Sequence, residues 1–85
     1  MKFKFRVEVS LKEGLSDPEG ETTKNALINL GYKVENVRVG KIYEITLEAP
    51  SLSEARRIID EMSNRLLANP TKDNYRFEMC SGNEK

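Results

Sequence analysis

The chain has 85 residues, of which 14 are Lys or Arg and 14 are Asp or Glu, with one cysteine and no histidine. That length makes one small domain burying only about 60–65% of its unfolded surface, so association would add to its stability. The balanced charge gathers neither nucleic acid nor an anionic membrane, Cys80 has no internal disulfide partner, and the lack of His and CxxC removes the usual zinc sites.

Met1-Lys2-Phe3-Lys4-Phe5 alternates where a signal peptide would carry an apolar block, and no apolar run approaches the roughly 20 residues of a membrane span. The expected location is therefore the cytoplasm. Phe3, Phe5, Val7, Val9 and Leu11 alternate with Lys4, Arg6, Glu8, Ser10 and Lys12, the pattern of a strand with one buried face. Such alternation belongs to antiparallel α+β layers, because a parallel sheet buried on both faces would read as a continuous apolar run.

After a loop over residues 12–16, Asp17-Pro18-Glu19-Gly20 starts a helix, with Asp17 able to cap free N–H groups and Pro18 at the first helical position. The helix is expected over residues 18–30, with Thr23, Ala26, Leu27 and Leu30 as its buried stripe and Gly31 as its left-handed stop. Spacing favours capping over a ligand or partner contact at this helix start. Gly20 tempers that reading, since a first-turn glycine costs about 1 kcal/mol relative to alanine and points to something close against its backbone.

From Val37 to Leu47 the apolar residues Val37, Val39, Tyr43, Ile45 and Leu47 are all odd-numbered and share one face of an extended segment. A two-residue turn at Gly40-Lys41 would mix apolar with charged residues on each face. A three-residue loop, Gly40 to Ile42, or one long strand bent at Gly40 keeps the faces consistent, and either leaves strand edge to be covered. Gly40-Lys41 is no phosphate loop, since GxxxxGK[ST] and a following helix are both missing.

Ala49-Pro50 ends the sheet segment, and Ser51 with Glu54 has capping-box spacing for a second helix. Its expected buried stripe is Ala55, Ile58, Ile59, Met62 and Leu66, with Arg56 and Arg57 on the solvated face and Pro70 beyond its end. Tyr75, Phe77 and Met79 alternate as a last strand, which gives a single domain over residues 1–80 and a disordered tail over 81–85.

The order of elements predicts a two-layer α+β sandwich, an antiparallel sheet with two helices on one face. Phe3, Phe5, Tyr43, Tyr75 and Phe77 all fall on the core side, so the open face lacks the stacking aromatics of an RNA-binding sheet. Without histidine there is no Ser-His or Cys-His pair, and the carboxylates are scattered among basic residues, so catalysis by this chain alone is not expected. Leu15, Ile28, Tyr32, Val34, Ile42, Leu52 and Leu67 find no obvious place in the core. Several of them, with the open strand edge, fit a subunit interface.

Leu11 to Gly20, Ala26-Leu27 with Leu30-Gly31-Tyr32, Val37 to Lys41, Glu61-Met62, and Leu66-Leu67-Ala68-Asn69-Pro70 with Tyr75 together resemble the PurS family. This is the small subunit of phosphoribosylformylglycinamidine synthase. The resemblance runs nearly end to end, with Ser63 standing where family members often carry cysteine. It implies a role in purine biosynthesis as a non-catalytic assembly subunit, itself dimeric or tetrameric. Its implied partners are a synthetase subunit, PurL, that uses ATP and Mg, and a glutaminase subunit, PurQ, that releases ammonia; no cofactor is implied on this chain. The interface candidates that follow are Asp17, Pro18, Glu19 and Gly20 with Arg38, Val39, Gly40, Lys41, Ile42 and Tyr43. The competing reading is a ligand-binding regulatory module similar to ACT domains, whose Asp-Pro-Gly-like turn Glu19 interrupts here.

Overall fold

A computed structural model describes residues 1–82, in the order β1 (Lys2–Leu11), α1 (Pro18–Asn29), β2 (Gly40–Glu48), α2 (Leu52–Met62), a π-helical turn (Ser63–Leu67) and β3 (Asp73–Gly82). The three strands form an antiparallel sheet in the order β2-β1-β3. The alternation in β1 places Phe3, Phe5, Val7 and Val9 in the core, where Phe5 meets Phe77 edge to face at 6.0 Å. The opposite face is a charged mesh in which Arg6 lies between Glu44 and Glu78, and Glu8 pairs with Arg76.

The sheet is centred on β1, and the Val37–Leu47 stretch divides at Gly40. Only its second part is a strand, so Gly40 opens β2 and forms neither a hairpin loop nor a bend within a strand. The reason lies in β1. Its pairing with β2 ends at Ser10 opposite Gly40, and the chain beyond turns toward β3, where the Lys12 amide donates to the Lys72 carbonyl at 2.8 Å. Val37 to Val39 therefore have no strand to pair with. A methyl on Gly40 would lie 2.8 Å from the Val9 carbonyl oxygen, which accounts for the glycine by close approach.

β3 also runs past residue 80, where the domain was expected to end, because Ser81 and Gly82 pair with Lys4 and Phe3. Backbone pairing needs no particular side chain, and β1 still offers unpaired edge at its start. Residues 83–85, the rest of the expected tail, lie outside the described residues. Phe5 pairs with Met79 while Lys4 pairs with Ser81, so Cys80 is the extra residue of a bulge.

Ser51 caps α2 through Oγ, which accepts from the Glu54 amide at 3.1 Å, and the helix packs Ala55 and Ile59 against the sheet. The Tyr75 hydroxyl donates to Asp60 Oδ1 at 2.7 Å and ties α2 to β3. Met62 and Leu66, expected in the stripe, are instead 36% and 82% exposed. The π turn explains this: the Ala68 amide donates to the Ser63 carbonyl five residues back, so Ser63 and then Ala68 face inward and Leu66 is carried outside. Ser63 is fully buried and is satisfied by donating to the Ile59 carbonyl at 2.8 Å.

α1 closes as the spacing predicts. Gly31 sits at φ +99°, its amide donates to the Ile28 carbonyl, and the Tyr32 amide donates to the Leu27 carbonyl, which is a Schellman motif. Its apolar stripe does not pack as expected. Leu27 is half-buried, but Thr23, Ala26 and Ile28 are exposed and Leu30 is 74% exposed; the one buried residue of the helix is Gly20. The fold is the expected α+β arrangement of a three-stranded antiparallel sheet with two helices. However, α2 rests on β1 and β3 while α1 meets the sheet less, so Tyr43, Ile45 and Leu47 on the inner face of β2 are only half-buried. One helix, about 10 Å across, covers about two strands at 4.8 Å spacing, and the start of α1 is held elsewhere.

Candidate functional site

What holds α1 is a clasp between the Asp17-Pro18-Glu19-Gly20 turn and the Val37-Arg38-Val39 segment. Asp17 spreads its carboxylate across both. Oδ1 accepts from the Gly20 amide at 2.9 Å, as an N-cap should, and Oδ2 accepts from the Val39 amide at 2.8 Å across 22 residues of chain. Gly20 lies so close to the second segment that a methyl there would sit 2.3 Å from the Val37 carbonyl oxygen. Arg38 completes the clasp, its Nη2 donating to the Leu11 carbonyl at 2.6 Å and to the Lys12 carbonyl at 3.3 Å. Lys12 in turn donates through Nζ to the Pro70 carbonyl at 2.9 Å, so the loop before α1 is tied to the loop before β3.

The clasp depresses the Asp17 carboxyl pKa. The amide of Val39 contributes most, the amide of Gly20 next, and the charge of Arg38 adds a smaller effect, against a modest desolvation cost. A carboxyl lowered in the folded state stabilises fully above its unfolded pKa, and that contribution is lost as pH falls through the folded value. The two Asp17 bonds therefore contribute in full at neutral pH and weaken only in acid. In an NMR titration the Val39 amide shift should inflect below the ordinary aspartate range; an inflection at or above that range would contradict the tether.

Of the ten interface candidates, Asp17, Gly20, Arg38 and Val39 thus meet one another inside the chain, and Gly40 lies against β1. Pro18, Glu19, Lys41 and Ile42 are exposed around the clasp, while Tyr43 is half-buried on the inner face of the sheet and Ile42 lies on the outer face opposite Glu8. A shallow cleft of about 460 Å³ runs between Glu19, Lys41, Leu67 and Asp73, and another of about 450 Å³ between Ser10, Ile42, Asn74 and Arg76 on the outer face. Among the described residues no three metal-ligating side chains converge. The internal role of Arg38 had no signal in the sequence, whereas the unfavourable first-turn glycine did register the close approach at Gly20.

The family model described as PurS, phosphoribosylformylglycinamidine (FGAM) synthase, matches residues 4–81. The chain belongs to the PurS family. It is 50% identical over 70 residues to phosphoribosylformylglycinamidine synthase subunit PurS of Archaeoglobus fulgidus, covering 81% of this chain and 88% of that one. Its fold superposes with a TM-score of 0.80 on Methanocaldococcus jannaschii PurS, one of the subunits of formylglycinamide ribonucleotide amidotransferase in the purine biosynthetic pathway, at 32% identity over 91% of this chain and 94% of that one. It superposes with a TM-score of 0.87 on a chain of PurLQS from Thermotoga maritima, at 30% identity over 93% of this chain and 98% of that one. PurS is thus a subunit of FGAM synthase, and no described helix of this member is long and apolar enough to cross a membrane.

Proposed function

We propose that this PurS-family chain is the non-catalytic assembly subunit of FGAM synthase, bridging PurQ and PurL in the cytoplasm so that ammonia passes from one to the other. In this reading PurQ releases ammonia from glutamine, PurL uses ATP and Mg²⁺ to activate the substrate amide, and this chain contributes surface only. The observation that carries it is the likeness, over 98% of that chain's length, to a chain of PurLQS. The exposed apolar residues agree: Ile28, Leu30 and Tyr32 at the far end of α1, and Ile42 at the free edge of the sheet, are a supply of contact surface on a chain too small to bury it alone. Some of that surface serves a dimer or tetramer of the chain itself. Pro18, Glu19, Lys41 and Ile42 are the contact residues toward the larger subunits, and Asp17, Gly20 and Arg38 hold them in place.

A bridge matters because ammonia set free in water is diluted and mostly protonated, which removes the lone pair the reaction needs. Reconstitution of PurL and PurQ with and without this chain tests the proposal. Glutamine-dependent turnover should require the chain, and turnover driven by added ammonium salt should not. Full glutamine-dependent turnover in its absence would overturn the assembly role.

A further inference from the structure

We infer that Asp17 is a positioning residue whose second carboxylate oxygen sets the direction of α1, and that this direction, beyond the mere presence of the helix, is what couples glutamine to synthesis. The inference rests on the assembly role proposed above. Three independent features meet at one point: the two amides taken by separate Asp17 oxygens, the contact of Gly20 with the Val37 carbonyl, and the Arg38 bonds to Leu11 and Lys12. Beyond that point no residue of α1 is fully buried, and Leu30 and Tyr32, just past its end, are 74% and 61% exposed. A helix of 12 residues is about 18 Å long, so an angular error at its start becomes a displacement of several ångströms at its far end. Ordinary capping does not need Oδ2. Ser and Asn cap helices as well as Asp does, but neither offers two acceptor oxygens to two amides.

Asp17→Ser separates the two duties, since it keeps the cap and removes the tether. A pair of spin labels on α1 and on the outer face of β3, with Cys80 replaced by serine, reports the direction of α1 in the full chain and in the reconstituted complex. The variant should keep its helix content, broaden the label-to-label distance distribution, speed exchange of the Val39 amide, and lower glutamine-dependent turnover about tenfold while ammonium-dependent turnover holds. Asp17→Asn, which retains one acceptor oxygen, should behave likewise. A Ser variant with wild-type distances, or with loosened distances and wild-type coupling, would overturn the inference. If instead the wild-type chain gave no gain in glutamine-dependent turnover, the assembly role would fall and the coupling claim with it, a failure visible before any variant is made.

Discussion

Phe5→Ala should remove about 3–5 kcal/mol of stability, whereas Leu66→Ala should change it by less than about 0.5 kcal/mol. Phe5 is fully buried at the middle of the central strand and is the largest of the few side chains that are. Its ring packs edge-on to Phe77. Deleting it forfeits the transfer free energy of the ring and leaves a cavity that two flanking strands prevent from collapsing. A domain of this length has a net stability of roughly 4–13 kcal/mol, so the loss is a large share of the total and lowers Tm by roughly 15–30 °C. Leu66 is the contrasting case. Helical periodicity from Ile59 and Met62 puts it in the core, but the π turn leaves it 82% exposed. Denaturant melts of the two variants, run over a protein dilution series because association raises apparent stability, decide between the periods. Equal costs would mean that α2 continues without the π turn.

The pair also marks what could be read from the residues. β1, β3, both helix starts and the Gly31 stop were legible because each is written locally, in alternation, in an oxygen three residues before an amide, or in a glycine at positive φ. The π turn was not, since inserting one residue into a helical repeat leaves no composition signal, and Leu66 suits either register. The start of β2 at Gly40 was hidden for a different reason. Val37 and Val39 keep the strand period, and only the departure of β1 at Lys12 deprives them of a partner. The same limit applies at the candidate site. Asp17-Pro18-Glu19-Gly20 and Arg38-Val39-Gly40-Lys41 stood out as two motifs, but that the first grips the second is a contact across about twenty residues that neither motif encodes alone.

Gly20→Ala should reverse the sign that helix propensity assigns to it. In a solvated helix the change would gain about 1 kcal/mol. Here the new methyl would stand 2.3 Å from the Val37 carbonyl oxygen, well inside contact distance, and the obstacle is backbone, which cannot rotate aside as a side chain can. Relief requires the 37–39 segment to move off α1, which stretches or breaks the bond from the Val39 amide to Asp17. The expected result is a destabilisation of about 1–3 kcal/mol with faster exchange at Val39. Thr22→Ala is the control on the same helix: Thr22 is exposed and its hydroxyl donates to the Pro18 carbonyl one turn back, so its loss should be neutral or slightly stabilising. A gain in stability for both variants would show that the two segments have room between them and that the clasp does not fix α1. A loss for Gly20→Ala alone assigns the glycine to that close approach, and makes the first turn of α1 the joint on which the exposed far end of the helix is aimed.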